Sequence, residues 1–134
     1  MKVMIDTNVL ISAVINHNST PYKAYIKTIS YHSGMICKQN IDELKRVFNR
    51  KFPSRVDEFE KFIARALRDL EIVPIPETEA KDEGKIHDVK DKPIFRAAVN
   101  AGADIILTGD KDFLEADIDH PMACTPADFL NMRC

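Results

Sequence analysis

Nowhere in this chain of 134 residues do about eighteen apolar residues run together, so the sequence contains no candidate membrane-spanning helix. The apolar N-terminal run is broken by Asp6 and Asn8 and does not read as a secretory signal. Cysteine is scarce. Cys37, Cys124 and Cys134 are odd in number, far apart and without a C-x-x-C pair, which argues against both a disulfide framework and a zinc finger. A soluble protein of a reducing cytoplasm is the expectation. The four histidines, His17, His32, His87 and His120, show no ligand spacing, so histidine chemistry is not indicated. Repeats and low-complexity segments are absent. The formal net charge of −2 decides nothing about a polyanionic partner.

What is present suits one packed domain spanning residues 1–134, with 45% hydrophobic and 30% charged residues. Val3 to Ile5 has the β-branched, apolar character of a strand buried on both faces of a parallel sheet, and an apolar helix from Val9 to Ile15 follows. After the polar loop Asn16 to Thr20, Pro21 opens a helix carrying Tyr22, Tyr25, Ile26 and Ile29 at helical spacing, with Gly34 as its stop. Met35 to Cys37 reads as a second strand. Asn40 opens a helix bearing Ile41, Leu44 and Phe48. Ser54 caps a longer one with an apolar stripe through Val56, Phe59, Ile63, Ala66, Leu67 and Leu70. Ile72 to Ile75 is a third strand candidate, Glu77 to Lys90 is loop-like, and an Ala-rich helix from about Lys92 ends at Gly102. Ala103 to Leu107 is a fourth buried strand. A short strand near Met122 to Cys124 and a small helix after Pro126 complete the chain. Strands alternating with helices predict a three-layer α/β/α sandwich around a mostly parallel sheet.

On that scaffold the acids acquire meaning. Asp6 and Asp110 each lie just past the carboxyl end of a predicted strand, and in a parallel sheet both emerge on the edge where ligands bind. Glu43, soon after the second strand, and Asp91, at the start of the Ala-rich helix, belong near the same edge. Four carboxylates around one crevice repel one another unless a hard cation with oxygen ligands neutralises them. Each also has a structural explanation: Asn40 to Glu43 fits a capping box, and Asp6, Asp91 and Asp110 suit helix N-termini.

Asp6-Thr7-Asn8-Val9-Leu10, Glu43-Leu44, Asp88-x-x-Asp91 before the Ala-rich helix, and Ala101-Gly102-Ala103-Asp104 leading to Thr108-Gly109-Asp110-Lys111-Asp112 together resemble the PIN domain, especially its small prokaryotic members. The likeness covers nearly the whole chain in order. It implies a Mg²⁺- or Mn²⁺-dependent endoribonuclease with Asp6, Glu43, Asp91 and Asp110 as its acids and Asp112 as a fifth candidate. Asp6, Asp91 and Asp110 would hold the metal, while Glu43 completes the site or orients water. Thr7, Asn8, Thr108 and Asp112 would surround it and orient the carboxylates. Many relatives of this kind are toxins of toxin–antitoxin pairs and form homodimers, so a cognate antitoxin and a second copy are the implied partners beside RNA. Asp88 and Asp91 both precede the Ala-rich helix and compete as the third acid; Asp91 is preferred because it adjoins the helical pattern.

Two rival readings remain. A haloacid-dehalogenase-type phosphohydrolase also places an acid after its first strand, but Asn8 stands where that family has its second aspartate. A non-catalytic PIN-like module that binds nucleic acid is the other. From Lys38 to Arg68 there are nine basic and five acidic residues, so the rest of the chain is acidic. Arg46, Arg50, Lys51 and Arg55 within that segment are the candidate phosphate contacts; ordinary solvated helix faces would give the same count.

Overall fold

The computed structural model describes residues 1–133; Cys134 lies outside the described residues. Five strands form one sheet: β1 (Lys2–Ile5), β2 (Ser33–Cys37), β3 (Glu71–Val73), β4 (Ile105–Leu107) and β5 (Met122–Cys124). Every pairing is parallel, in the order β3-β2-β1-β4-β5. The helices are α1 (Thr7–Ile15), α2 (Thr20–Tyr31), α3 (Lys38–Lys51), α4 (Val56–Asp69), α5 (Lys92–Asn100), α6 (Lys111–Leu114) and α7 (Pro126–Asn131). Among the described residues no helix is long and apolar enough to cross a membrane.

Side chains of successive strand residues point to opposite faces, and the core divides accordingly. Val3, Ile5, Ile36, Ile105 and Leu107 pack on one face with apolar residues of α1, α2, α3, α4 and α7. Met4, Met35, Cys37 and Ile106 pack on the other with Ile94, Phe95, Ala97 and Ala98 of α5 and with Phe113 of α6. Three layers follow directly, as the sequence predicts. β1 sits between β2 and β4, so the chain builds the sheet outward to one side of β1 and then crosses to the other. At such a reversal the loops beyond the strand ends part and leave a crevice.

Local differences from the sequence reading have physical causes. α2 ends at Tyr31, and Gly34 lies inside β2. A Cβ at Gly34 would meet Leu70 Cδ2 at 2.5 Å and Thr28 Cγ2 at 2.9 Å, so this glycine permits close packing of the sheet against α2 and the end of α4. Gly102 does end a helix: its φ of 74° gives a left-handed turn. The Gly102 N–H then bonds the Val99 carbonyl at 3.1 Å, and the Ala103 N–H bonds the Ala98 carbonyl at 2.9 Å. Ser54 is absorbed into a 3₁₀ turn at Pro53–Arg55, and α4 starts without a side-chain cap. β3 stops at Val73, short of Ile75.

The segment read as loop, Glu77 to Lys90, carries 3₁₀ turns at Glu83–Lys85 and, at its end, Val89–Asp91. It is pinned from within. Arg96 of α5 grips the buried Glu83 in a two-pronged ion pair, Nε to Oε1 at 2.8 Å and Nη2 to Oε2 at 2.7 Å. Arg96 Nη1 also donates to the Pro76 carbonyl at 3.1 Å.

Candidate metal centre

The register pairs Ile5 with Leu107, so the next residues on each strand, Asp6 and Thr108, face one another at the mouth of the crevice. The Thr108 hydroxyl donates to Asp6 Oδ2 at 2.8 Å and accepts the Asp110 N–H at 2.9 Å. One hydroxyl therefore couples two acid-bearing loops. Asp6 also caps α1, accepting from the Thr7 N–H at 2.8 Å, and receives the Asn8 amide at 3.3 Å. Asn8 Oδ1 in turn accepts the Gly109 N–H at 3.3 Å. Capping and site-building use the same carboxylate.

Asp6 is only 4% exposed. Its pKa is raised from 3.8 to about 6, chiefly by burial and in part by the negative charges of Asp110 and Glu43, against the hydrogen bonds from Thr108 and Thr7. Asp91, 8% exposed, is raised to about 8, first by burial, then by the Asp110 carboxyl close beside it, and by the charges of Asp6 and Asp88. Asp6 thus feels the charges of Asp110 and Glu43, and Asp91 those of Asp110, Asp6 and Asp88. Asp110 Oδ1 accepts from the Asp112 N–H at 2.9 Å as the cap of α6.

Asp88 and Asp112 flank this group. Ligand atoms of Asp88, Asp91 and Asp112 lie within 4.8 Å of one another. The choice between Asp88 and Asp91 therefore becomes a difference of position: both carboxylates adjoin the crevice, Asp91 buried and Asp88 at its exposed rim. Asp88 Oδ1 already accepts the Lys90 N–H at 3.0 Å, capping the turn that delivers Asp91.

Glu43 owes its place to residues the sequence reading cast otherwise. α3 starts at Lys38, so Asn40 is its third residue and Cys37 its cap, and Glu43 is not drawn back into a capping box. Asn40 Oδ1 accepts the Cys37 N–H at 2.9 Å, while its amide donates to the Thr7 hydroxyl at 3.0 Å. A wholly buried amide thus locks the start of α3 to the loop after β1. Gln39 Nε2 donates to Glu43 Oε1 at 2.9 Å and to the Lys90 carbonyl, tying Glu43 to the Val89–Asp91 turn. Only the Gln-Asn step just after the second strand, polar where a helix begins against the crevice, hinted at these roles.

The donor set fits a hard divalent cation. Asp91 Oδ2 is buried and has no hydrogen-bond donor among the described residues, and the carboxylates around it are acceptors as well. An unpartnered buried acceptor facing other anions is unfavourable unless a proton or a cation joins it, and oxygen-only donors suit Mg²⁺ or Mn²⁺. An apolar groove of about 540 Å³ elsewhere, lined by Tyr25, Ile26 and Phe62, holds none of these acids.

A family model described as PIN domain matches residues 2–112, which include all six of these carboxylates. The chain belongs to the PIN-domain family. PIN domains are generally nucleases, typically dependent on divalent metals. The PIN fold is borne out by solved structures too. A chain of VapBC2 from Rickettsia felis, bound to a DNA fragment from its promoter, superposes with a TM-score of 0.69 at 16% identity, covering 93% of this chain and 98% of that one. A domain of a functionally unknown protein from Methanocaldococcus jannaschii gives 0.58 at 19% identity, covering 92% and 89%. No curated protein matches this PIN domain.

Of the basic residues singled out by sequence, Arg46 and Arg50 line a cleft beside Glu43. Lys51 is exposed at the end of α3 and does not line it. Arg55 is engaged elsewhere, donating to the Ile15 carbonyl at 2.8 Å and to Glu58 at 2.9 Å.

Proposed function

We propose that this PIN domain is a Mg²⁺- or Mn²⁺-dependent endoribonuclease that hydrolyses phosphodiester bonds of RNA. The observation that carries the reading is Asp91: a buried carboxylate with an unpartnered oxygen, acted on by the charges of Asp110, Asp6 and Asp88. Asp6, Asp91 and Asp110 would hold the metal. When bound, it supplies positive charge for the scissile phosphate and lowers the pKa of water.

The chain's own residues do the rest. Thr108, bonded to both Asp6 and the Asp110 loop, keeps two ligating carboxylates in fixed relation. Glu43, held through Oε1 by Gln39, has its other oxygen to orient the attacking water. Water oxygen forms the new bond to phosphorus as the bond to the leaving ribose oxygen breaks, and the proton released by water ends on that leaving oxygen. No nucleophilic side chain is needed. Asn8, amide-bonded to Asp6 and Gly109, offers no proton, which disfavours the acid/base arrangement of a haloacid-dehalogenase-type phosphohydrolase.

The biological setting in this reading is a toxin–antitoxin pair, supported by the likeness to a chain of VapBC2. A cognate antitoxin and a homodimer belong to the same proposal, and sedimentation of the protein alone and with the product of a neighbouring small reading frame tests them. The activity is tested with an unstructured RNA in Mn²⁺. Cleavage should stop on chelation and be lost in Asp6→Asn; cleavage that persists in excess chelator by the purified protein contradicts the proposal.

A further inference from the structure

We propose that the cleft beside Glu43 is a subsite for one unstacked nucleotide of single-stranded RNA, next to the scissile phosphate; this rests on the nuclease reading above. The cleft encloses about 720 Å³ between α3 and the turn Val89–Asp91, and Glu43, whose charge reaches Asp6, is part of its wall. Its lining joins two chemistries. Lys38, Arg46, Arg50 and Lys90 contribute four cations against the two acids Asp42 and Glu43. Among the described residues none of those four side chains has an ion-pair or hydrogen-bond partner, unlike Arg55 and Arg96. Ile75, Val89 and Pro93 supply an apolar surface in the same cleft.

Val89 is the telling residue. It is 74% exposed, immediately follows Asp88 and lies two residues before Asp91. An apolar side chain held mostly in water on a pinned turn leaves most of its surface uncovered, and a base face would cover it. The cations run the other way, outward from the acids. Glu43, Arg46 and Arg50 recur at helical spacing on one side of α3, so Arg50 lies about 10 Å along the helix axis from Glu43. Phosphates of a strand leaving the reaction centre would meet Arg46 and then Arg50, while Lys38 and Lys90 hold the near end. A free mononucleotide would leave the far cations unused, and a paired base in a duplex cannot turn its face to Val89. A single strand whose bases splay from a cation-bound backbone satisfies both surfaces.

The test measures binding of a fluorescein-labelled, unstructured ten-nucleotide RNA in chelator, where no turnover occurs, over a range of salt. Cleavage kinetics of the same variants are followed in Mn²⁺. The double variant Arg46→Glu/Arg50→Glu should weaken binding at least about tenfold and flatten the salt slope by about 0.7 for each phosphate it no longer neutralises. Val89→Ser, at an exposed position that tolerates the change, should weaken binding about threefold with an unchanged salt slope, the mark of an apolar contact. Arg65→Glu on α4 should do neither. The duplex of the same sequence should bind more weakly and ignore Val89→Ser. Wild-type binding by both cleft variants, equal weakening by Arg65→Glu, or no binding of the single strand by the native protein would overturn the subsite. If cleavage proceeds but no cleft variant alters binding or KM, the subsite falls and the nuclease stands. If binding depends on the cleft but no metal-dependent cleavage occurs, the nuclease falls and the cleft stands as a binding site for single strands.

Discussion

Thr108 is where the site is most economically tested at the scale of one residue. Its hydroxyl serves Asp6 and the Asp110 N–H together, and it is wholly buried. Thr108→Val keeps the shape, removes the donor to Asp6 and leaves the Asp110 N–H without its acceptor. We expect Mn²⁺ affinity or cleavage to fall about 10- to 100-fold, measured by titration calorimetry and RNA cleavage, with a stability loss of about 1–3 kcal/mol. Unchanged Mn²⁺ affinity would return Thr108 to a purely structural role. Asp6 and Asp110 are readable from the amino-acid string because each follows an apolar strand, and parallel strands bring their carboxyl ends to one edge. Gln39 and Asn40 are not: an amide looks the same in sequence whether it meets solvent, a helix end or a carboxylate from another segment. Their roles arise from contacts with Thr7 and Lys90, which are distant in sequence.

At the scale of elements, the segment from Glu77 to Lys90 and the first turn of α3 are the parts that sequence pattern describes least well. A polar stretch without periodicity reads as loop, yet Arg96 and Glu83 fasten it to α5 and so hold the turn that delivers Asp88, Val89 and Asp91. Arg96→Ala leaves the nearly inaccessible Glu83 carboxylate without its counter-ion. A loss of about 3 kcal/mol in urea unfolding is expected, with a raised KM for RNA as the turn loosens. A loss below about 0.5 kcal/mol would mean the ion pair does not organise this segment. Gly34 makes a parallel case, since a glycine after a helix reads as a stop while the structure uses its missing side chain. Gly34→Ala brings a methyl against Leu70 and Thr28, and should lower stability by about 1–3 kcal/mol in the same assay, without altering metal affinity.

At the scale of the whole molecule, the proposed metal site would link folding to metal binding through the acids. Asp6 and Asp91 have folded-state pKa values of about 6 and about 8, above their ordinary 3.8, so the native metal-free protein binds more protons than the unfolded chain. Their stabilising contribution is fully present below pH 3.8 and is lost as pH rises through about 6 and about 8. Glu83 works in the opposite direction, its pKa lowered by the Arg96 hydrogen bond, but above its ordinary 4.5 that contribution is already in place. His32, lowered chiefly by desolvation, also opposes the trend on the acid side of its ordinary 6.5. Comparison with Asp91→Asn cancels both, because that variant removes one of the repelling charges and leaves them untouched.

The decisive measurement is the melting temperature of wild type and Asp91→Asn from about pH 5 to about 8, with chelator and with saturating Mn²⁺. Wild type in chelator should melt lower as pH rises, and Mn²⁺ should restore it near neutrality, by about 2.7 kcal/mol at a free concentration one hundred times its dissociation constant. Asp91→Asn should melt higher than wild type in chelator at pH about 7.5, depend less on pH and gain little from Mn²⁺. Equal Mn²⁺ responses in the two proteins, with Asp91→Asn melting no higher than wild type in chelator, would contradict the convergence of these carboxylates on a metal.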